Sequence, residues 1–175
     1  MDDHAIAPPG AIIVMGVSGS GKSTIATRLA EQIGFRFIEG DDLHPAANVE
    51  KMRNGIALDD EDRWPWLARV GEELSQFRGE GVIITCSALK RVYRDRLRAA
   101  AGGTLSFVFL DGSKDLLFRR MGHRTGHFMP LSLLETQLAT LERPEGEPGV
   151  VTVSIDQPLD AICNAACAGL AAALG

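Results

Sequence analysis

The run Gly16-Val17-Ser18-Gly19-Ser20-Gly21-Lys22-Ser23 constrains this chain more than any other feature. Its glycines let the backbone curl until successive N–H groups point inward, which makes a nest for an anion. A lysine and a hydroxyl close the run, in the spacing G-x-x-x-x-G-K-[ST]. The flanks fit. Ala11–Met15 is a short continuous apolar run, as expected of a strand buried on both faces. After the run, Ile25, Leu29 and Ile33, with Ala26 and Ala30 beside them, form one buried helical stripe that Gly34 ends. Strand, glycine turn and helix together describe a phosphate loop, with the helix N-terminus aimed at the anion. Lys22 then reaches the β- and γ-phosphates and the Ser23 hydroxyl is available to Mg²⁺. The expected nucleotide contacts are Gly16, Val17, Ser18, Gly19, Ser20, Gly21, Lys22, Ser23 and Thr24. No N-K-x-D guanine signature is present, so ATP is the expected nucleotide.

Further apolar runs at 35–39, 82–86, 105–110 and 150–155 predict four more strands. Helices are expected between them. One opens at His44-Pro45 and ends near Asn54-Gly55. The next follows the acidic cluster Asp59-Asp60-Glu61-Asp62 and carries Trp66, Leu67, Val70, Leu74 and Phe77 on one face. Ser87 is the expected N-cap of a helix to about residue 101. Further helices are expected from about 113 to 121, over 131–141 and over 158–174. Alternating strands and helices predict an α/β fold of three layers, a five-stranded parallel sheet with helices on both faces. Ligands bind such sheets at the carboxyl ends of the strands. At 175 residues this is one domain's worth of chain, with 1–10 as a flexible leader and 11–175 as the domain.

The second strand leads into Glu39-Gly40-Asp41-Asp42-Leu43-His44-Pro45. These carboxylates are therefore expected on the same rim as the phosphate loop. Asp41 is the candidate to orient an acceptor hydroxyl, take its proton, or hold Mg²⁺ through water. His44, Asn48 and Lys51 share one helix face and can form a polar wall. Lys90 and Arg94 lie one turn apart on a basic side that also carries Arg91 and Arg98, candidates for a substrate carboxylate. Arg63 is expected to bind substrate or to pair with Asp59 or Asp60. Cys86 and Ser87 end the third strand where many phosphate-loop proteins place an acid for the metal, which leaves Ser23 as the expected protein ligand. The net charge of -5 argues against nucleic acid as a partner. The acidic start and the absence of an apolar run near about 20 residues argue against a secretory leader or a membrane span. Three cysteines without metal spacing fit a reducing cytoplasm.

Taken in order, these runs resemble the gluconokinase family, small ATP:gluconate phosphotransferases. The resemblance rests on the phosphate loop, Gly40-Asp41-Asp42-Leu43-His44-Pro45 with Asn48 and Lys51, Asp62-Arg63 with Pro65-Trp66-Leu67, Cys86-Ser87-Ala88-Leu89-Lys90 with Tyr93-Arg94, Gly126-His127-Phe128 and Asp156-Gln157-Pro158. It spans about residues 12–160. It implies transfer of the γ-phosphate of ATP to the 6-hydroxyl of D-gluconate, with Mg²⁺, in a homodimer. It also implies a lid at about 120–131, where Arg120 and Arg124 close onto the phosphates. By the same resemblance Asp41, His44, Lys51, Arg63, Ser87, Lys90, Arg94 and His127 face the substrate, and Gln157 and Pro158 lie against adenine. Two rival readings are a shikimate- or nucleotide-type kinase and a nucleotide-binding regulatory module without transfer.

Overall fold

The short apolar runs become the strands of one sheet in the computed structural model, which describes residues 10–122 and 131–174. The strands are β1 (Ala11–Met15), β2 (Arg36–Ile38), β3 (Val82–Thr85), β4 (Leu105–Asp111) and β5 (Val150–Ser154). All pairings are parallel, in the order β2-β3-β1-β4-β5. β1 is central, its edges paired with β3 and β4 and its two faces covered by helices. That is why its five residues are all apolar and buried.

Alternation along β1 assigns its side chains to two cores. Ile12 and Val14 face one layer, packed against Ile25 and Leu29 of α1 (Lys22–Ile33), Leu117 of α5 (Lys114–Gly122), Leu134 of α6 (Leu131–Thr140) and Ile162 of α7 (Leu159–Leu174). Ile13 and Met15 face the other layer. There they meet Trp66, Leu67, Val70 and Leu74 of α3 (Asp60–Phe77), and Tyr93 and Leu97 of α4 (Arg91–Ala100). The remaining helix, α2 (Ala46–Arg53), is short and follows a 3-10 turn at Gly40–Leu43. The three-layer α/β architecture expected from the sequence is present.

Local signals set most boundaries. Gly34 ends α1 with φ 77°, the left-handed conformation a helix C-cap favours. Asp59 caps α3 through a reciprocal box with Asp62. Two starts differ from expectation. His44 and Pro45 precede α2 instead of opening it, with Pro45 as N-cap. Helix α4 begins at Arg91, not after Ser87, and its cap residue Lys90 supplies no side-chain bond. Instead, the Glu142 carboxylate accepts from the Arg91 N–H at 2.8 Å. A cap 51 residues away leaves no mark in the local sequence. Leader residues 1–9 lie outside the described residues.

Candidate active site

The phosphate loop leaves β1 at the carboxyl rim of the sheet and enters α1. Gly21, with φ 88°, is the residue before the helix and holds a turn that side-chain-bearing residues rarely adopt. Inside the loop, the buried Ser20 hydroxyl donates to the Val17 carbonyl at 2.7 Å. The Lys22 ammonium folds back across the mouth and donates to the carbonyls of Gly16 and Val17 at 3.0 and 3.2 Å. Ser23 and Thr24, in the first turn of α1, are exposed.

Ser23 is not the only oxygen donor at its position. Its hydroxyl donates to Glu39 Oε1 at 2.5 Å, and the second carboxylate oxygen of Glu39 accepts from the Thr85 hydroxyl at 2.5 Å. Thr85 Oγ1 also accepts from the Gly40 N–H at 3.0 Å. Gly40 is required there, since a Cβ would overlap the Thr85 carbonyl oxygen. This close approach of the turn to the end of β3 fixes the Glu39 carboxylate against the phosphate loop. The sequence left this position without an acid because Cys86 stands at the end of β3, buried, its thiol pushed up to about 12 by burial. The acid comes from just past β2, the strand next to β3. The Glu39-Gly40-Asp41 run was the available signal; Glu39's neighbours in space were not.

Past Gly40 the chain presents an exposed Asp41 on the same rim. The turn that carries it is held to the end of β3 by the Gly40–Thr85 hydrogen bond. His44 stacks on Trp66 with ring centroids 4.1 Å apart, and the Trp66 indole N–H donates to the Gly40 carbonyl at 2.9 Å. The buried Asn48 amide approaches His44 Nδ1 at 3.1 Å and donates to the Asp62 carbonyl at 2.9 Å. An amide N–H at Nδ1 makes that nitrogen the acceptor, which puts the imidazole proton on Nε2. Burial, opposed by Asp41, holds the His44 pKa below its ordinary value, so the ring is neutral at pH 7. Lys51 donates to both oxygens of Asp62 at 3.0 and 2.8 Å, which raises the lysine's pKa and lowers the carboxyl's.

A second cluster stands where α3 meets α4. The Tyr93 hydroxyl donates to Asp60 at 2.5 Å, with Lys90 3.6 Å and Arg63 3.9 Å from the same carboxylate oxygen. Tyr93 holds the Asp60 carboxyl below its ordinary range, aided by Lys90. Two cations share one acid here. Ser87 is half-buried in the loop between β3 and α4.

Arg94 does not join this group. It is fully buried, and its guanidinium donates to the Ala88 and Glu142 carbonyls, each at 2.7 Å, and to both oxygens of Glu147, at 2.9 and 2.7 Å. The expectation that Arg94 meets substrate is corrected on that ground: its donors are spent on the protein. Arg120 donates to the Ile155 carbonyl at 2.8 Å, at the end of β5. The neighbouring Gln157 folds onto the Ser154 carbonyl at 2.7 Å, just before Pro158. Arg124 and His127 lie outside the described residues.

Comparisons with known proteins identify the family. A family model described as an AAA domain matches residues 12–144. A gluconokinase of Gluconobacter oxydans is 49% identical over 156 residues, covering 88% of this chain and 87% of that protein. The crystal structure of a gluconokinase from Sinorhizobium meliloti is 59% identical and superposes with a TM-score of 0.86, covering 94% of this chain and 93% of the other. Shikimate kinase from Aquifex aeolicus, at 15% identity and a TM-score of 0.56, shares the fold alone.

Proposed function

The chain belongs to the gluconokinase family, and we propose that it transfers the γ-phosphate of ATP to the 6-hydroxyl of D-gluconate, giving 6-phosphogluconate and ADP. One observation carries the assignment of roles. Asp41 follows a turn whose Gly40 N–H is bonded to Thr85 at the end of β3 and whose Glu39 is bonded to Ser23 after the phosphate loop, which supports an acid acting beside the loop that carries Lys22. Asp41 orients the acceptor hydroxyl and takes its proton as the oxygen attacks. Lys22 and the loop N–H groups hold the terminal phosphates in line and offset the charge that develops on them. On the acceptor side, neutral His44 offers its Nε2–H to a sugar hydroxyl, while Arg63 and Lys90 hold the carboxylate; Lys51, Ser87 and His127 complete the expected contacts.

Mg²⁺ belongs to the same proposal. Ser23 and Glu39 are hard oxygen donors on neighbouring segments, the chemistry this ion prefers, and would hold it together with phosphate oxygens and water. When bound, the ion neutralises charge on the β- and γ-oxygens. Arg120 and Arg124 as phosphate-closing groups, Gln157 and Pro158 beside adenine, a homodimer and a cytoplasmic setting are carried forward as parts of this reading. Among the described residues, no helix is long and apolar enough to cross a membrane.

The test is a coupled ADP-release assay with ATP and a panel of sugar acids, shikimate and nucleotides. Gluconate should give the highest kcat/KM; turnover with shikimate or a nucleotide in its place would sink the acceptor assignment. Asp41→Asn should lower kcat by about 100-fold or more. A near-normal kcat would deny Asp41 the role of base.

A further inference from the structure

Helix α6 sends one polar side chain into the phosphate loop. The Ser18 N–H donates to Gln137 Oε1 at 2.7 Å, across 119 residues of sequence. Because the loop atom is a donor, the contacting amide atom must be the oxygen, which fixes the orientation of the amide. Its other end, Nε2, donates no hydrogen bond among the described residues. Position along the loop says which phosphate this end meets. The N–H groups at the start of α1 take the phosphate nearer the ribose. The Lys22 ammonium, which reaches toward the terminal phosphate, rests on the carbonyls of Gly16 and Val17, the two residues before Ser18. Gln137 therefore stands at the terminal-phosphate side of the loop.

The helix beneath it is held at both ends of the contact. Leu134, one turn earlier, is fully buried in the core shared with α1. Five residues later the Glu142 N–H donates to the Leu89 carbonyl at 2.8 Å. A side chain so supported is positioned before any ligand arrives.

We infer that Gln137 is a ligand for the terminal phosphate of ATP, its Oε1 fixing the Ser18 N–H while its Nε2–H₂ donates to a γ-phosphate oxygen. The contact lets the loop distinguish a nucleoside triphosphate from a diphosphate, and so favours loading of ATP over retention of ADP. This rests on the ATP-dependent reading above.

Two variants and two nucleotides test it by isothermal titration calorimetry with Mg²⁺ present. Gln137→Glu keeps an acceptor for Ser18 but sets a carboxylate against the γ-phosphate. Gln137→Leu removes both functions with little change in volume. The expected result is a loss of about tenfold or more in affinity for the β,γ-imido analogue of ATP in Gln137→Glu, a smaller loss in Gln137→Leu, and ADP affinity within about threefold of wild type in both. Equal weakening of both nucleotides would overturn the inference, because it would mark Gln137 as a prop for the loop; so would unchanged affinity for the analogue. Wild-type protein that binds neither nucleotide would instead sink the ATP reading itself.

Discussion

Glu39 shows how a residue's partners can decide its chemistry when its sequence neighbours do not. Its carboxylate bridges the hydroxyls of Ser23 and Thr85, sixteen and forty-six residues away, and each belongs to a different element. The phosphate loop is legible because its chemistry lies in eight consecutive residues. A bridging acid is legible only when the order of strands is known, and here β2 must lie beside β3. Asp41, two residues on, has the opposite character: it is exposed on the rim, and its proposed role is toward the acceptor. The two acids should therefore separate in kinetics. Glu39→Gln retains hydrogen bonding to the hydroxyls but removes the charge that, in the proposed role, would hold Mg²⁺. It should raise the Mg²⁺ concentration for half-maximal rate by about 10–100-fold. Asp41→Asn should lower kcat without that change. Titrating Mg²⁺ at fixed ATP in the coupled assay reads both, and an unshifted Mg²⁺ requirement in Glu39→Gln would remove Glu39 from the metal site.

At the scale of elements, the helices that carry their own caps were placed from sequence and those capped from elsewhere were not. Helix α3 announces itself through Asp59 and Asp62, three apart, and begins there. Helix α4 takes its N-terminal acceptor from Glu142, so the serine that looked like its cap lies instead in the preceding loop. The loop that this displacement creates, from Cys86 to Lys90, includes Ala88 at φ 48°, an uncommon conformation for a residue with a side chain. It leaves Ser87 in a loop and brings Lys90 to 3.6 Å from the Asp60 carboxylate instead of winding them into a helix. Glu142→Ala should cost about 1 kcal/mol, the ordinary worth of an N-cap. For a chain of this size that is a fall of about 2–4 °C in Tm. Glu142→Gln, which keeps an acceptor oxygen, should lose less than half as much. Thermal melts followed by circular dichroism check both, and an Ala variant as stable as wild type would leave the cap without energetic weight.

For the whole molecule the decisive residue is Arg94, because it joins parts of the chain that share no strand pairing. Its guanidinium links the loop after β3 through Ala88, the end of the α6 strap through Glu142, and the entry to β5 through Glu147. Arg98 adds a second cation to Glu147 at 2.9 Å. Basic residues on a helix read from sequence as a solvated or substrate-binding face. What reversed that reading is a buried acid fifty-three residues later, for which the sequence gives no pairing rule. The Glu147 carboxyl is held below its ordinary value, chiefly by Arg94. Its contribution to stability is thus full above the ordinary carboxylate range and is lost as pH falls through the depressed value. Removing Arg94 leaves Glu147 to Arg98 alone and takes the donor from two carbonyls, so Arg94→Met should destabilise by about 3 kcal/mol, lowering Tm by roughly 10 °C. Arg94→Lys should recover only part of this, since one ammonium cannot replace a fork that bonds both Glu147 oxygens and two carbonyls. Assayed at a temperature where each variant is folded, both should keep a KM for gluconate within about threefold of wild type, a change of less than 1 kcal/mol. An unchanged Tm with a KM raised by about thirtyfold would return Arg94 to the substrate, and with it the view that the basic side of α4 was made for the acceptor and not for joining the two halves of the fold.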